Sequence, residues 1–177
     1  MKKTALYLAV AIIACALGFT LAQHRLATTP VATVLSAFSL PDLTGQMQNS
    51  QQWQGKIRLI NFWATWCPPC RQEIPELNRL QKAQSAKNLV VLGIAIDNES
   101  DVVDFIKTSP IAYPVLLAPS QGMALSQQMG NLLGVIPFSV LIDEQNIIRH
   151  VWAGEVTQHA VEQELQALML PINNATK

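Results

Sequence analysis

The chain has 177 residues, half of them hydrophobic, with twelve acidic and twelve basic side chains and three cysteines. That length suits one ordinary domain with a short appendage and is too small for two full domains. The charges balance and no Lys/Arg cluster appears beyond Lys2 and Lys3, so the basic footprint of a nucleic-acid binder is missing and no nucleic acid is expected as a partner.

Residues 4–22 are apolar nearly throughout and uncharged, behind the basic pair. The stretch is close to the ~20 residues that cross a bilayer as a helix. The positive-inside bias keeps the two lysines in the cytoplasm and exports everything after Gln23. Three readings stay open. The segment is an anchor retained in the lipid bilayer, or a signal peptide cleaved after Thr20-Leu21-Ala22, or a lipidation signal at Cys15. For the last, Ile12-Ile13-Ala14-Cys15 loosely resembles a bacterial lipobox, although the apolar run continues through Phe19 and Leu21. Read blandly, Cys15 is a small apolar residue in a membrane helix. Every reading places the remaining chain outside the cytoplasm; a retained anchor makes it a single-pass protein of the bacterial inner membrane facing the periplasm or cell exterior.

Residues 23–36 have no sustained periodicity and carry Thr, Pro and Ser, as a linker does. The expected organisation is therefore a membrane anchor or signal segment over 1–22, a linker over 23–36 and a folded domain over 37–177. Within 38–55, turn chemistry at Pro41-Asp42 and Thr44-Gly45 predicts a short hairpin. Residues 57–63 and 89–96 are compact apolar runs of the kind buried on both faces of a sheet. Between them Ile74, Leu77 and Leu80 recur from a start near Pro68, predicting an amphipathic helix and so a strand–helix–strand crossover. Short helices follow at 101–107 and 123–129, with a strand at 115–117 between them. Residues 138–142 and 147–152 flank Asp143-Glu144-Gln145-Asn146 as an antiparallel hairpin. A closing helix is expected over 157–170, with Thr157 as N-cap and Val161, Leu165 and Leu168 on one face. Trp53, Trp63 and Trp152 read as core or hairpin residues, His150 and His159 as surface residues, His24 as part of the linker, and Asp97 as the cap of a strand end.

The exported part keeps two cysteines, spaced C-x-x-C, in a compartment where disulfides persist. Trp66-Cys67-Pro68-Pro69-Cys70 falls where the first buried strand ends and the first helix begins. The first helical turn has unpaired backbone N–H groups and the positive end of the macrodipole, which favour a thiolate at Cys67. Each unit of pKa depression is ~1.4 kcal/mol of preference for that form. The two prolines fit, since early helical positions need no N–H. Cys70 lies one turn later on the same face, close enough to attack a mixed disulfide formed at Cys67. Cys67 is thus the candidate nucleophile and Cys70 the resolving thiol. A zinc site needs further ligands that the chain does not supply, so no metal is expected. Haem c attachment needs a histidine where Arg71 stands. A purely structural disulfide over so short a loop gains little chain-entropy stabilisation. The glycines form no G-x-G-x-x-G, so no nucleotide or flavin cofactor is expected and the cysteine pair is itself the redox unit.

The run Asn61-Phe62-Trp63-Ala64-Thr65-Trp66-Cys67-Pro68-Pro69-Cys70, with Gly134-Val135-Ile136-Pro137-Phe138, resembles the thioredoxin superfamily over roughly residues 37–170. Within it the chain is most similar to the TlpA/ResA-like membrane-anchored thiol:disulfide oxidoreductases. That resemblance implies an α/β thioredoxin-like fold: a central mixed β-sheet flanked by helices, an N-terminal hairpin and a central insertion, preceded by one transmembrane or signal helix. It implies a cis Ile136-Pro137 bond facing the cysteines, where the residues alone would suggest an ordinary trans proline at a strand edge. The Ile136 backbone would then pair with an extended substrate beside Cys67. Trp66, Pro68 and Pro69 join Ile136 and Pro137 as expected substrate contacts, Trp66 because it flanks the nucleophile. Pro75 should kink the helix, as in thioredoxin-like proteins. Asn61 stands where thioredoxin has a buried aspartate, so another group must take the proton of Cys70. The resemblance gives that acid–base role to Glu73, whose pKa should rise toward neutrality if it is buried; read without it, Glu73 is a solvated first-turn carboxylate.

The function expected is reduction of disulfides in exported proteins, for example in cytochrome c maturation, with a membrane protein as electron donor or acceptor. A disulfide-forming oxidant of the same fold is the alternative, although Pro68-Pro69 lacks the histidine that strong oxidants of the superfamily often carry there. A peroxiredoxin-like peroxidase would need threonine where Ala64 stands. A metal-delivery module would use the cysteine pair as ligands.

Overall fold

A computed structural model of the protein describes residues 34–84 and 88–169. The expected membrane or signal helix and Cys15 lie outside the described residues. Among the described residues no helix is long and apolar enough to cross a membrane.

The chain opens with the predicted hairpin, β1 (Ser39–Pro41) paired antiparallel with β2 (Met47–Asn49), followed by one 3-10 turn over Ser50–Trp53. The remaining strands form a five-stranded mixed sheet in the order β5-β4-β3-β6-β7. At its centre are β3 (Ile57–Trp63) and β4 (Leu89–Ala95), parallel to each other and buried at every position. Strands covered on both faces must be apolar on both, which is why these two runs do not alternate. A parallel pair needs a crossover, and α1 (Pro68–Gln84) supplies it. A second crossover through α2 (Glu99–Thr108) adds β5 (Val115–Leu117), parallel to β4, at the sheet edge. This helix and edge strand lie between β4 and α3 (Gly122–Gln128). The hairpin reaches the edge through an isolated bridge between Asp42 and Leu116, covering backbone groups that would otherwise invite pairing with another chain. Strands β6 (Phe138–Ile142) and β7 (Ile148–Ala153) complete the other half antiparallel, and α4 (Gln158–Met169) closes the domain. Thr157 caps α4, its Oγ1 accepting from the Ala160 N–H at 3.2 Å.

The two sheet faces carry separate cores. Leu59 of β3 packs with Leu77 and Leu80 of α1, Leu141 of β6 and Val161 and Leu165 of α4. On the opposite face Ile60 and Phe62 meet Leu40, Trp53, Leu92, Ile94, Val140 and Met129. Burial of each such side chain contributes about 1.5–3 kcal/mol, so the sheet is fixed from both sides and the end of β3 becomes a rigid platform. Pro75 sits within α1 and is solvent-exposed, and the helix runs on past it to Gln84. His150, expected on the surface, is half-buried, with Nδ1 3.4 Å from Glu164 of α4.

Candidate redox site

The turn from β3 into α1 is pinned before the cysteines are reached. Asp97, just past β4, is buried, and its Oδ2 accepts from the Thr65 N–H at 2.9 Å and the Thr65 hydroxyl at 2.6 Å. Its work is therefore to tie the cysteine loop to the neighbouring strand, more than the strand-end cap read from sequence. The Cys67 N–H then donates to the Ala64 carbonyl at 3.3 Å, and α1 starts at Pro68. Pro68 and Pro69 bring no N–H, so the first helical donors are those of Cys70 and Arg71. Both go to Cys67: the Cys70 N–H to its Sγ at 3.3 Å, the Arg71 N–H to its carbonyl at 3.2 Å. The sulfur thus occupies the place of a capping oxygen, where an anionic form is stabilised by both the donor and the helix dipole.

Cys67 and Cys70 are joined, with an S–S distance of 2.07 Å and Cα atoms 5.3 Å apart. Cys70 is wholly enclosed and Cys67 is 4% exposed. Around them pack Trp63, Ala64, Ile74, Ala95 and Val102. The Arg71 guanidinium lies over the Phe105 ring, 5.9 Å from its centre. Trp66 stands outward, 65% exposed, next to Pro68, which is exposed, and Pro69, which is half-buried.

Ile136-Pro137 is cis, as the resemblance implied, and the Ile136 carbonyl oxygen lies 3.8 Å from Cys67 Sγ. The loop before it is held by Asn131, a residue that sequence reasoning missed. Asn131 is buried; its Nδ2 donates to the Val135 carbonyl at 2.8 Å and to Ser126 Oγ at 3.0 Å, and its Oδ1 accepts from the Val135 N–H at 3.1 Å. The available signal was an asparagine in a Gly130-Asn131-Leu132-Leu133-Gly134 run, whose glycines take φ of +104° and +62°. Asn131→Ala removes three hydrogen bonds from a closed loop and is expected to cost about 2–4 kcal/mol. Denaturant unfolding would measure that loss, and slower reaction with a peptide disulfide would report the loosened Ile136 carbonyl.

Glu73 follows Cys70 by three residues, so the two share a face of α1, and it is 2% exposed. Its Oε1 accepts from Asn61 Nδ2 at 2.6 Å and its Oε2 from the Val156 N–H at 2.9 Å. Asn61 also donates to Ser139 Oγ at 3.0 Å. Burial pushes the carboxyl up to about 7, with a smaller contribution from the charge of Glu155, against the two hydrogen bonds that favour the anion. A carboxyl poised there can both take and return a proton at neutral pH. The solvated first-turn glutamate is excluded by this burial. Among the described residues, no group of three His, Cys, Asp or Glu side chains is placed to hold a metal ion.

Residues 30–168 match the redoxin family. The thiol-disulfide oxidoreductase ResA of Bacillus cereus is 31% identical over 175 residues, which covers 95% of this chain and 99% of that protein. The thioredoxin-like protein YneN of Bacillus subtilis is 34% identical over 132 residues, 72% of this chain and 74% of its own. Of solved structures, a thioredoxin-family thiol:disulfide interchange protein from Chlorobium tepidum TLS superposes with a TM-score of 0.66 at 30% identity, covering 77% of this chain and 95% of that one. A thioredoxin-related protein from Neisseria meningitidis serogroup B gives 0.67 at 29% identity, with coverage of 73% and 98%. A cysteine pair at a helix start on this mixed sheet, together with these matches, settles the class: the chain belongs to the redoxin family as a TlpA/ResA-like member of the thioredoxin superfamily, a thiol-disulfide oxidoreductase acting on protein thiols or disulfides.

Proposed function

We propose that this protein reduces disulfides in exported proteins, for example during cytochrome c maturation, with Cys67 as nucleophile, Cys70 as resolving thiol and Glu73 as the acid–base group. The observation that carries the reading is the asymmetry of the pair. The Cys67 sulfur accepts the Cys70 N–H at the helix start and lies against the Ile136 carbonyl, while Cys70 is enclosed behind it. In the reduced protein the Cys67 thiolate attacks one sulfur of a client disulfide, that S–S bond breaks, and the other client sulfur leaves as a thiolate. Glu73 takes the proton of Cys70, whose sulfur then attacks Cys67 Sγ and expels the second client sulfur. Two electrons pass to the client, and the Cys67–Cys70 disulfide is left for a membrane electron donor protein to reduce.

An extended client segment would pair with the Ile136 backbone at Pro137 and pack on Trp66, Pro68 and Pro69, which accounts for the exposure of a tryptophan beside the nucleophile. Residues 4–22, as a bilayer anchor, and the linker 23–36 would hold the domain, from residue 37 onward, near membrane-proximal partners on the periplasmic side. The test is the equilibrium reduction potential of the full-length protein, measured by thiol trapping in glutathione buffers. A value near ~−270 mV supports a reductant with a dedicated donor, and one near ~−120 mV would mark an oxidant and overturn the reductive direction.

A further inference from the structure

The two most exposed large apolar side chains among the described residues are neighbours, Leu132 at 88% and Leu133 at 80%. They form the tip of the loop that Asn131 closes, just ahead of Ile136, whose carbonyl oxygen lies 3.8 Å from Cys67 Sγ. Gly130 and Gly134 bracket them at φ of +104° and +62°. The Leu132 N–H donates to the Gly130 carbonyl at 2.8 Å and the Gly134 N–H to the Asn131 carbonyl at 3.1 Å. The loop is thus fixed in a glycine-dependent backbone form that holds both leucines out into solvent.

Chain connectivity keeps Leu133 and Leu132 within about 11 and 14 Å of Ile136, the span of three or four residues of extended chain at ~3.3 Å each. Val135, 38% exposed, lies between them and Ile136 in the chain, and Trp66, 65% exposed, stands beside Cys67. Single apolar residues scattered on a surface need no explanation, but a run of them continuous with a reactive disulfide marks a contact surface.

The charge pattern narrows what that surface takes. Residues 108–142 contain no Asp, Glu, Lys, Arg or His, and neither do residues 59–70. A loop that docks on a bilayer carries Lys or Arg around its apolar tip for the anionic headgroups, and this one carries none. A partner matched by charge finds nothing to pair with on this rim. An uncharged, extended stretch of polypeptide with apolar side chains fits it.

We infer that Leu132 and Leu133 form an apolar lip that receives side chains a few residues from the client's cysteine, so that the protein selects disulfides in extended segments flanked by large apolar residues. This assignment deepens the reading of Ile136 and Trp66 as client contacts and rests on it. A client strand paired with the Ile136 backbone, its cysteine at Cys67, carries alternate side chains over the loop. Since the loop is already held by its hydrogen bonds, docking costs little ordering entropy. Apolar contact of this kind is the same in the bound client and in the sulfur-transfer step, so it lowers KM and leaves kcat unchanged.

The test uses two symmetric peptide disulfides that differ only at the second and fourth residues on either side of the cysteine, leucine in one and serine in the other. They are offered to the reduced full-length protein in detergent, unaltered and as the double variant Leu132→Ser/Leu133→Ser. The unaltered protein should prefer the leucine peptide by about ten- to a hundredfold in kcat/KM, carried by KM, and the double variant should lose most of that preference. A merely structural role would slow both peptides together and leave their ratio as it was. An unmoved ratio, or no preference in the unaltered protein, overturns the inference. If the unaltered protein reduces neither peptide, the reductive direction has failed, and the same ratio is then read from oxidation of the peptide thiols by the Cys67–Cys70 disulfide. A dimer of the unaltered protein that dissociates in the double variant, seen by sedimentation, would give the leucines to a second copy and overturn the client assignment. Loss of the preference on moving the unaltered protein from detergent into lipid nanodiscs would place them in the bilayer and overturn it likewise. Should the double variant not fold, Leu132→Ser alone, at the more exposed position, carries the comparison.

Discussion

Serine in place of Cys70 should stop the cycle at its midpoint, with the protein accumulating as a covalent adduct with client through Cys67. The Cys67 sulfur keeps its donor in that variant, because the Cys70 backbone N–H and the helix start do not depend on the Cys70 sulfur. Attack on the client disulfide therefore proceeds, and resolution has no nucleophile. Turnover should fall by roughly 10³-fold or more, as expected when one member of a catalytic unit is removed. Cys67→Ser should lose turnover as completely without trapping anything, since Cys70 is wholly enclosed. Mass spectrometry under non-reducing conditions separates the two cases. Adducts from Cys67→Ser, or residual turnover by Cys70→Ser, would reverse the assignment of the two sulfurs.

The second large effect belongs to Glu73→Gln, and it has two independent readouts. The carboxyl rises from 4.5 to about 7 on folding, chiefly through burial. Between those values the native state binds a proton that the unfolded chain does not, so this contribution to stability is present in acid and falls away as pH rises through the window. By pH 8 the oxidised protein should have lost on the order of 3 kcal/mol relative to pH 4 from this group, an amount that Glu73→Gln should not lose. Glutamine keeps the shape and remains uncharged, so the variant should be relatively more stable on the alkaline side. Denaturant unfolding at several pH values measures this; parallel stability curves for the two proteins would contradict the buried neutral acid. In activity, the general-base role proposed for Glu73 predicts a resolving step about 10²-fold slower near neutrality. The deficit should shrink at high pH, where Cys70 ionises unaided. Rapid-quench capture of the mixed disulfide would show the stall.

These two variants divide the site into a part read from sequence and a part assembled by folding. The apolar runs that became β3 and β4 and the spacing of Ile74, Leu77 and Leu80 were legible because burial on both faces leaves an unbroken apolar run and burial on one helix face a periodic one. The position of Cys67 at a helix start was legible because a strand, a turn and a proline-led helix are adjacent in sequence. The start of α2 two residues earlier than expected, at Glu99, is also local: Glu99 and Asp101 stand in the first turn, where the dipole favours acids.

What the chain could not display is the set of contacts made across the sheet. Ile136 meets Cys67 from 69 residues away, and the Val156 N–H reaches Glu73 across 83. Asp97 secures Thr65 over 32 residues, through a neighbouring strand. Periodicity records which face a residue buries but not its partner, because partners follow from strand register and crossover path, both properties of the assembled fold. The sequence by itself determined the cysteine pair, its helix and the strands that support it. Only the tertiary structure decided that burial raises Glu73 to about 7, that Asn131 closes the loop carrying Ile136, and that Tyr113 and Trp63 meet over Gly93, since each of these depends on segments distant in the chain being packed together without water between them.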